Sequence, residues 1–219
     1  MARPIFIRGQ TGSGKHAAAE AVADRLGLPL ISIDSMKVYR GMDIGTAKPR
    51  RAHRLMDICD PAENYSAGRF VRDAQALLAE LPRAVFVGGT ALYYKALAYG
   101  LFDGPGADPD LRRELEAWPA AKLREELLRV DPKAAEKIHP NDVRRSVRAI
   151  EVYRKTGSPL SSRQTHFETK TLEADVFGFR REDIRERLAL RTRRMIESGL
   201  VDEVRRLLER PWSREGRSA

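Results

Sequence analysis

Residues Gly9 to His16 read GQTGSGKH. This G-x-x-x-x-G-K spacing offers successive backbone N–H groups and a helix N-terminus to an anion, with Lys15 as a point charge. Gly9, Gly12 and Gly14 make the turn, and Gln10, Thr11 and Ser13 fill it, so two hydroxyls stand inside the loop. Such loops normally place Ser or Thr after the lysine, where the hydroxyl holds Mg²⁺; here that position is His16. The loop therefore reads as a phosphate site without its usual metal ligand. A nucleotide hydrolase lacking that ligand loses much of its catalytic apparatus, whereas a site that only holds a departing diphosphate loses less. Asp34, followed at once by Ser35, can serve as metal ligand or general base. It can equally cap a turn begun by DSMKVY. Thr90 closes a third chemically suggestive stretch, VGGT.

These residues need a scaffold that brings several strand ends together. PIFIR (Pro4–Arg8) is a short apolar run before the Gly-rich turn, and His16–Gly27 follows as an alanine-rich helix stopped by glycine. Pro29–Asp34 and Arg83–Thr90 predict two more strands. Between them, Tyr65–Leu81 carries Phe70, Ala74, Leu77 and Leu81 at helical spacing. Strands alternating with helices imply a parallel sheet, with ligands beyond the carboxyl ends of its strands. Gly9–Lys15, Asp34 and Thr90 all fall there. After Gly100 the chain turns loop-like, then helical and charged from Leu111 to Tyr153, with breaks at Pro119, Pro132 and Pro140. Lys155–Thr171 reads as polar and irregular. Glu173–Arg180 predicts a strand returning to the sheet, followed by a helix over Glu182–Glu197 and another after Gly199. In the first of these helices Ile184, Leu188 and Met195 form an apolar stripe. Arg191 lies within the stripe and needs an anionic or carbonyl partner.

The expected fold class is thus α/β: a P-loop NTPase-like parallel-sheet core (residues 1–102 and 172–219) carrying a mainly helical inserted domain (103–171). At 219 residues and 42% hydrophobic, the chain can bury a sizeable core. MARPIFIRG leads straight into the first strand, which leaves no room for a signal peptide. No apolar run reaches the length of a membrane span. A single cysteine, Cys59, rules out a disulfide framework or zinc cluster, so the cytosol is the expected compartment. Forty Lys+Arg against 31 Asp+Glu give a formal charge of +9. That excess fits either a solvated Arg-rich surface or a polyanionic partner such as nucleic acid. His53, His139 and His166 show no metal-ligand spacing and read as surface or loop residues.

The run DSMKVYRGMDIGTAKP (Asp34–Pro49) resembles the D-S-x-Q-x-Y-x-x-M-x-I-G-T-A-K-P signature of tRNA dimethylallyltransferases. The likeness continues through MDICDPAENYSAGRF, VGGTALYYKALAYG, HPNDVRRSVRAIEVYRKTGSP and RREDIRERLALRTRRMIESGLVDEV, in the family's order and over nearly all of the chain. The resemblance implies transfer of a dimethylallyl group from dimethylallyl diphosphate to N6 of the adenosine next to the anticodon of a tRNA. It makes Asp34 the base and Thr90 a residue that helps place the adenine. It puts the diphosphate on Gly9–His16 together with Arg181 and Arg187, with Mg²⁺ as cofactor. It assigns Asp34, Ser35, Met36, Lys37, Thr90, Arg112, Arg144, Arg145 and Arg148 to the tRNA anticodon stem-loop. A monomer is expected. The pattern departs at three places. His16 stands for Ser or Thr, while Lys37 and Arg144 stand for two glutamines, which adds positive charge. The chain also ends at PWSREGRSA where the family continues, so the core is expected to be C-terminally incomplete. Two other readings remain: an adenylate isopentenyltransferase, which would have no use for a basic insert, and a non-catalytic tRNA-binding remnant. A P-loop kinase is disfavoured because the third strand ends in Gly88-Gly89-Thr90, not an acid.

Overall fold

The computed structural model describes residues 3–81, 83–102, 104–163 and 170–212. They fall into two compact units, residues 1–98 with 171–219 and residues 99–170. The first unit is built on four parallel strands: β1 (Ile5–Gly9), β2 (Leu30–Ser32), β3 (Val85–Gly88) and β4 (Asp175–Phe179). Their order is β2-β3-β1-β4. β1 is central, pairing Ile5 to Val85 on one side and to Asp175 on the other. Its side chains alternate between two buried faces. Ile5 and Ile7 join Val85, Val87, Ala19 and Ala23 against helix α1 (Lys15–Leu26). On the other face Phe6 stacks on Phe86 at 4.7 Å and meets Tyr94 edge-on at 5.2 Å. Tyr94 belongs to α3 (Ala91–Tyr99), which follows α2 (Ala67–Glu80) in the chain. Such double coverage explains why β1 and β3 read as continuous apolar runs, whereas the edge strand β4 is exposed.

Two close approaches bring the strand ends together. A Cβ on Gly88 would lie 2.1 Å from the Ile33 carbonyl oxygen, and one on Gly9 would lie 2.5 Å from that of Phe179. Glycine at both positions lets adjacent backbones approach. β2 is shorter than the sequence predicts, ending at Ser32, although Ile33 still donates to Val87 O at 2.8 Å. After β4 come α9 (Ile184–Glu197) and α10 (Leu200–Leu208). A Cβ on Gly12 would touch Ile184 and Leu188 at 3.6 Å, so the predicted apolar stripe of α9 rests on the Gly-rich loop.

The second unit is helical: α4 (Pro109–Glu116), α5 (Ala120–Val130), α6 (Pro132–Lys137), α7 (Val143–Thr156) and α8 (Leu160–Arg163). Its core gathers Leu115, Leu123, Leu127, Val147 and Ile150, with Trp118 and Tyr153 packed on it. The prolines act as boundary residues: Pro119 precedes α5, Pro132 opens α6, and Asp131 caps α6 by accepting from Ala134 N at 3.0 Å. The stretch 155–171, expected to be irregular, contains the end of α7 and all of α8. α8 is fixed because Ser161 donates its amide and hydroxyl to buried Asp131. His166 and the rest of 164–169 lie outside the described residues. Among the described residues no helix is long and apolar enough to cross a membrane.

Candidate functional site

The Gly-rich loop takes the cradle form because Gly12 and Gly14 adopt φ of 82° and 88°, backbone that side-chain-bearing residues rarely accept. Gly14 then caps α1, whose first-turn amides have no intrahelical acceptor. Lys15 is buried, and its ammonium donates to Gln10 O at 3.1 Å. Burial lowers its pKa from the ordinary value, Asp34 opposes that shift, and Arg191 adds to it. Ser13 Oγ is buried with no hydrogen-bond partner among the described residues. A cavity of about 310 Å³ opens beside the loop, walled by Gly12, Lys15, His16, Lys37, Arg187 and Arg191, with Asp34 as its acid. α9 thus brings two arginines to the small cavity, Arg187 and, from within the stripe, Arg191. Arg181 is placed differently: it lies before α9, exposed, and forks onto Asp183 at 2.7 and 3.0 Å.

Asp34 is half-buried, two residues beyond β2. Its Oδ1 accepts from Met36 N at 3.0 Å and Lys37 N at 3.2 Å, so one oxygen caps the turn that the sequence allowed. Thr90 holds the neighbouring strand end in place, its Oγ1 accepting from Ser35 N at 3.0 Å. Asp34, Lys15, Thr11, Thr46 and Arg191 also border a second, larger cavity of about 1000 Å³. That cavity is completed by Ser35, Met36, Met42, Thr90 and the apolar side of α10.

His16 and Lys37 meet. Lys37, expected among the tRNA contacts, is only 4% exposed, and its ammonium lies 2.8 Å from His16 Nε2. An ammonium has no lone pair, so the imidazole must accept at Nε2 and carry its proton on Nδ1. Burial, followed by the charges of Lys37 and Lys15, pushes the His16 pKa down to about 3. Burial also pushes Lys37 down to about 8, against the pull of Asp34. His53 is not a surface residue: it is buried, its Nδ1 sits 2.8 Å from Arg51 O, and its ring lies 6.1 Å from that of His16. Among the described residues no group of three or more His, Cys, Asp or Glu could hold a metal ion.

Two buried acids that organise the structure were not singled out in the sequence. Glu203 of α10 is buried, and its carboxylate accepts from the amides of Asp43, Ile44 and Gly45 at 2.9, 2.7 and 2.9 Å. It thereby ties the DIGTA turn to the wall of the larger cavity. The available signal was an acid at position 203 between Leu200 and Leu207 on one helix face. The other is Glu151, fully buried in the helical unit. It takes a two-pronged bond from Arg112 at 2.9 and 2.8 Å, one from Arg148 at 2.5 Å, and one from Asp108 N. Arg112 and Arg148 therefore serve the fold of that unit, whereas Arg144 and Arg145 are exposed on α7, Arg145 beside Asp142 at 3.1 Å.

The IPP transferase family model matches residues 37–219. The chain is 42% identical to tRNA dimethylallyltransferase 1 of Citrifermentans bemidjiense, with 96% of this chain and 74% of that protein covered. It is 45% identical to the tRNA dimethylallyltransferase of Thioalkalivibrio sulfidiphilus, over 94% and 70%. A solved eukaryotic dimethylallyltransferase acting on tRNA superposes with a TM-score of 0.74 at 27% identity, over 95% of this chain and 56% of that one.

Proposed function

The chain belongs to the IPP transferase family, and from that premise we propose that it transfers a dimethylallyl group from dimethylallyl diphosphate to N6 of the adenosine next to the anticodon in tRNA. The observation that carries this reading is Asp34, which borders both the small basic cavity and the larger one. A diphosphate in the small cavity meets the loop amides, Lys15, Arg187 and Arg191. The allyl group and adenine then occupy the larger cavity beside Thr90. As N6 bonds to C1 of the allyl group, the C1–O bond breaks and its electron pair leaves with the diphosphate. Preorganised donors in the cradle stabilise that charge. Asp34 keeps an oxygen free of the turn and takes the N6 proton. To reach it, the base leaves the anticodon-loop stack. Arg144 and Arg145, exposed on α7 of the helical unit, are placed to meet RNA phosphates.

The resemblance implies Mg²⁺, and the residues present do not fit a protein-held one. Mg²⁺ requires a near-octahedral set of oxygen donors. Position 16 offers an imidazole already engaged by an ammonium, and one Asp34 oxygen caps a turn.

The test is nucleoside analysis of an anticodon stem-loop RNA incubated with dimethylallyl diphosphate, with AMP as a competing acceptor. Asp34→Asn keeps the turn-capping oxygen and removes the base. It should retain RNA binding and lose about 10²–10⁴-fold in transfer; unchanged turnover removes Asp34 from the base role.

A further inference from the structure

We propose that Lys37, oriented by His16, is a resident cation of the diphosphate cradle and takes the charge-neutralising place that the resemblance gives to Mg²⁺, so that this chain binds a diphosphate without a divalent metal. The proposal rests on the small cavity being the diphosphate site.

Two side chains far apart in sequence meet in the small cavity. His16 follows the loop lysine and Lys37 lies in the turn after β2, yet Nε2 and Nζ are 2.8 Å apart. Both line the cavity of about 310 Å³ beside the loop. The Lys37 backbone is also held, its amide donating to Asp34 Oδ1 at 3.2 Å. The ammonium is thus located from both ends of the residue. One of its three donors goes to the imidazole, and the other two remain for oxygen acceptors.

A buried ammonium needs a compensating anion. Among the described residues Asp34 is the one carboxylate of the cavity wall, which it shares with Lys15, Lys37, Arg187 and Arg191. Cations therefore exceed the acid by a margin that suits a diphosphate ester, which carries about two to three negative charges near neutral pH. The same surplus repels a free dication. An imidazole whose lone pair accepts from an ammonium also cannot coordinate a metal through that nitrogen. Neutral His16 is the right partner for this task, because it directs the ammonium without cancelling its charge. Its remaining N–H, on Nδ1, is a further neutral donor. Ser or Thr at position 16 with glutamine at 37 would remove the cation and restore a hydroxyl, so the two exchanges form one compensated change.

Calorimetric titration with inorganic pyrophosphate, in EDTA and then in Mg²⁺, tests this on the wild type, Lys37→Gln and the double variant H16T/K37Q. Thermal melts establish that each is folded. The wild type should bind pyrophosphate in EDTA within about threefold of its affinity in Mg²⁺. Lys37→Gln should weaken binding in EDTA by about tenfold or more, the loss expected for one charge-assisted hydrogen bond. H16T/K37Q should regain affinity only with Mg²⁺. Wild-type binding that falls about tenfold or more in EDTA overturns the proposal without any variant, by the same scale. Unchanged binding by Lys37→Gln in EDTA, or a double variant indifferent to Mg²⁺, does so as well. Prenyl transfer to the stem-loop is scored separately: metal-free pyrophosphate binding without transfer refutes the enzymatic reading and leaves the cation in place.

Discussion

Glu203→Ala tests whether a late helix holds the signature turn in place. The Glu203 carboxylate accepts from three consecutive amides, those of Asp43, Ile44 and Gly45. On either side of it along α10, Leu200 packs near the same turn and Leu207 near Gly41 just before it: a Cβ on Gly45 would meet Leu200 at 3.2 Å, and one on Gly41 would meet Leu207 at 3.6 Å. A hydrogen bond to a charged group contributes about 1.5–3 kcal/mol, and three would suggest a large loss. Asp43 and Gly45 are exposed, however, so water can reach their amides once the carboxylate is gone. The expected destabilisation is therefore nearer one such bond than three, about 2–3 kcal/mol. It should be local first. Hydrogen exchange at Asp43, Ile44 and Gly45 should accelerate well before the amides of β1 and β3 respond. Urea unfolding supplies the global value. Exchange at these three amides unchanged from wild type, with a stability loss below about 0.5 kcal/mol, the range of ordinary surface changes, would refute the anchoring role.

Other outcomes follow from the same contacts. The fold holds His16 neutral down to about pH 3, while an unfolded imidazole takes a proton near 6.5, so stability should fall as pH drops through that window. Lys37 acts at the other end. Its ammonium is disfavoured in the fold, with a pKa of about 8 against 10.5, so the burial cost is present below pH 8 and stability rises between the two values. In urea titrations across pH, His16→Thr should remove the acid-side slope and Lys37→Gln the alkaline one. Glu151→Gln leaves Arg112 and Arg148 facing each other without their anion, and because both guanidinium groups are partly solvated the loss should be about 2–3 kcal/mol, below the full buried-pair value. Gly88→Ala drives a methyl to 2.1 Å from the Ile33 oxygen and should cost more than about 3 kcal/mol or prevent folding. At Gly14, where a Cβ would meet nothing within 4 Å, only the positive φ is penalised, by about 1 kcal/mol.

The strands, the cradle and the catalytic candidates are legible in sequence because each is written locally. Apolar runs ending in glycine mark strand tips. The loop spacing fixes a left-handed turn and a helix start, and Asp34 and Thr90 lie at ends that a parallel sheet must bring together. Glu203 and Glu151 are not legible in that way. Each acquires its meaning from a partner far along the chain, Asp43 in one case and Arg112 in the other. The arginines show the same limit. Arg112 and Arg148 resemble Arg144 and Arg145 in type and setting, and only the buried Glu151 separates structural guanidinium groups from exposed ones. Arg181 and Arg191 also differ in placement, the first through a contact two residues along the chain and the second through packing of α9 on the loop. The loop-facing stripe of α9 carries Arg191 to the cradle, while Asp183 at the helix start holds Arg181 outside.

His16 and Lys37 show most clearly what three-dimensional contact adds. Read one at a time, the first weakens a metal site and the second adds a charge where an amide is usual. Read as a pair at 2.8 Å, they account for each other. The imidazole tolerates the ammonium only because it is neutral, and it remains neutral because burial and that ammonium both oppose its protonation. Burial alone would favour a deprotonated lysine, yet the nearby Asp34 carboxylate keeps the ammonium within reach of neutral pH. A diphosphate entering the cradle would reinforce that effect, since an added anion raises the pKa of the lysine it faces. Binding and protonation of Lys37 are then linked, and either process strengthens the other.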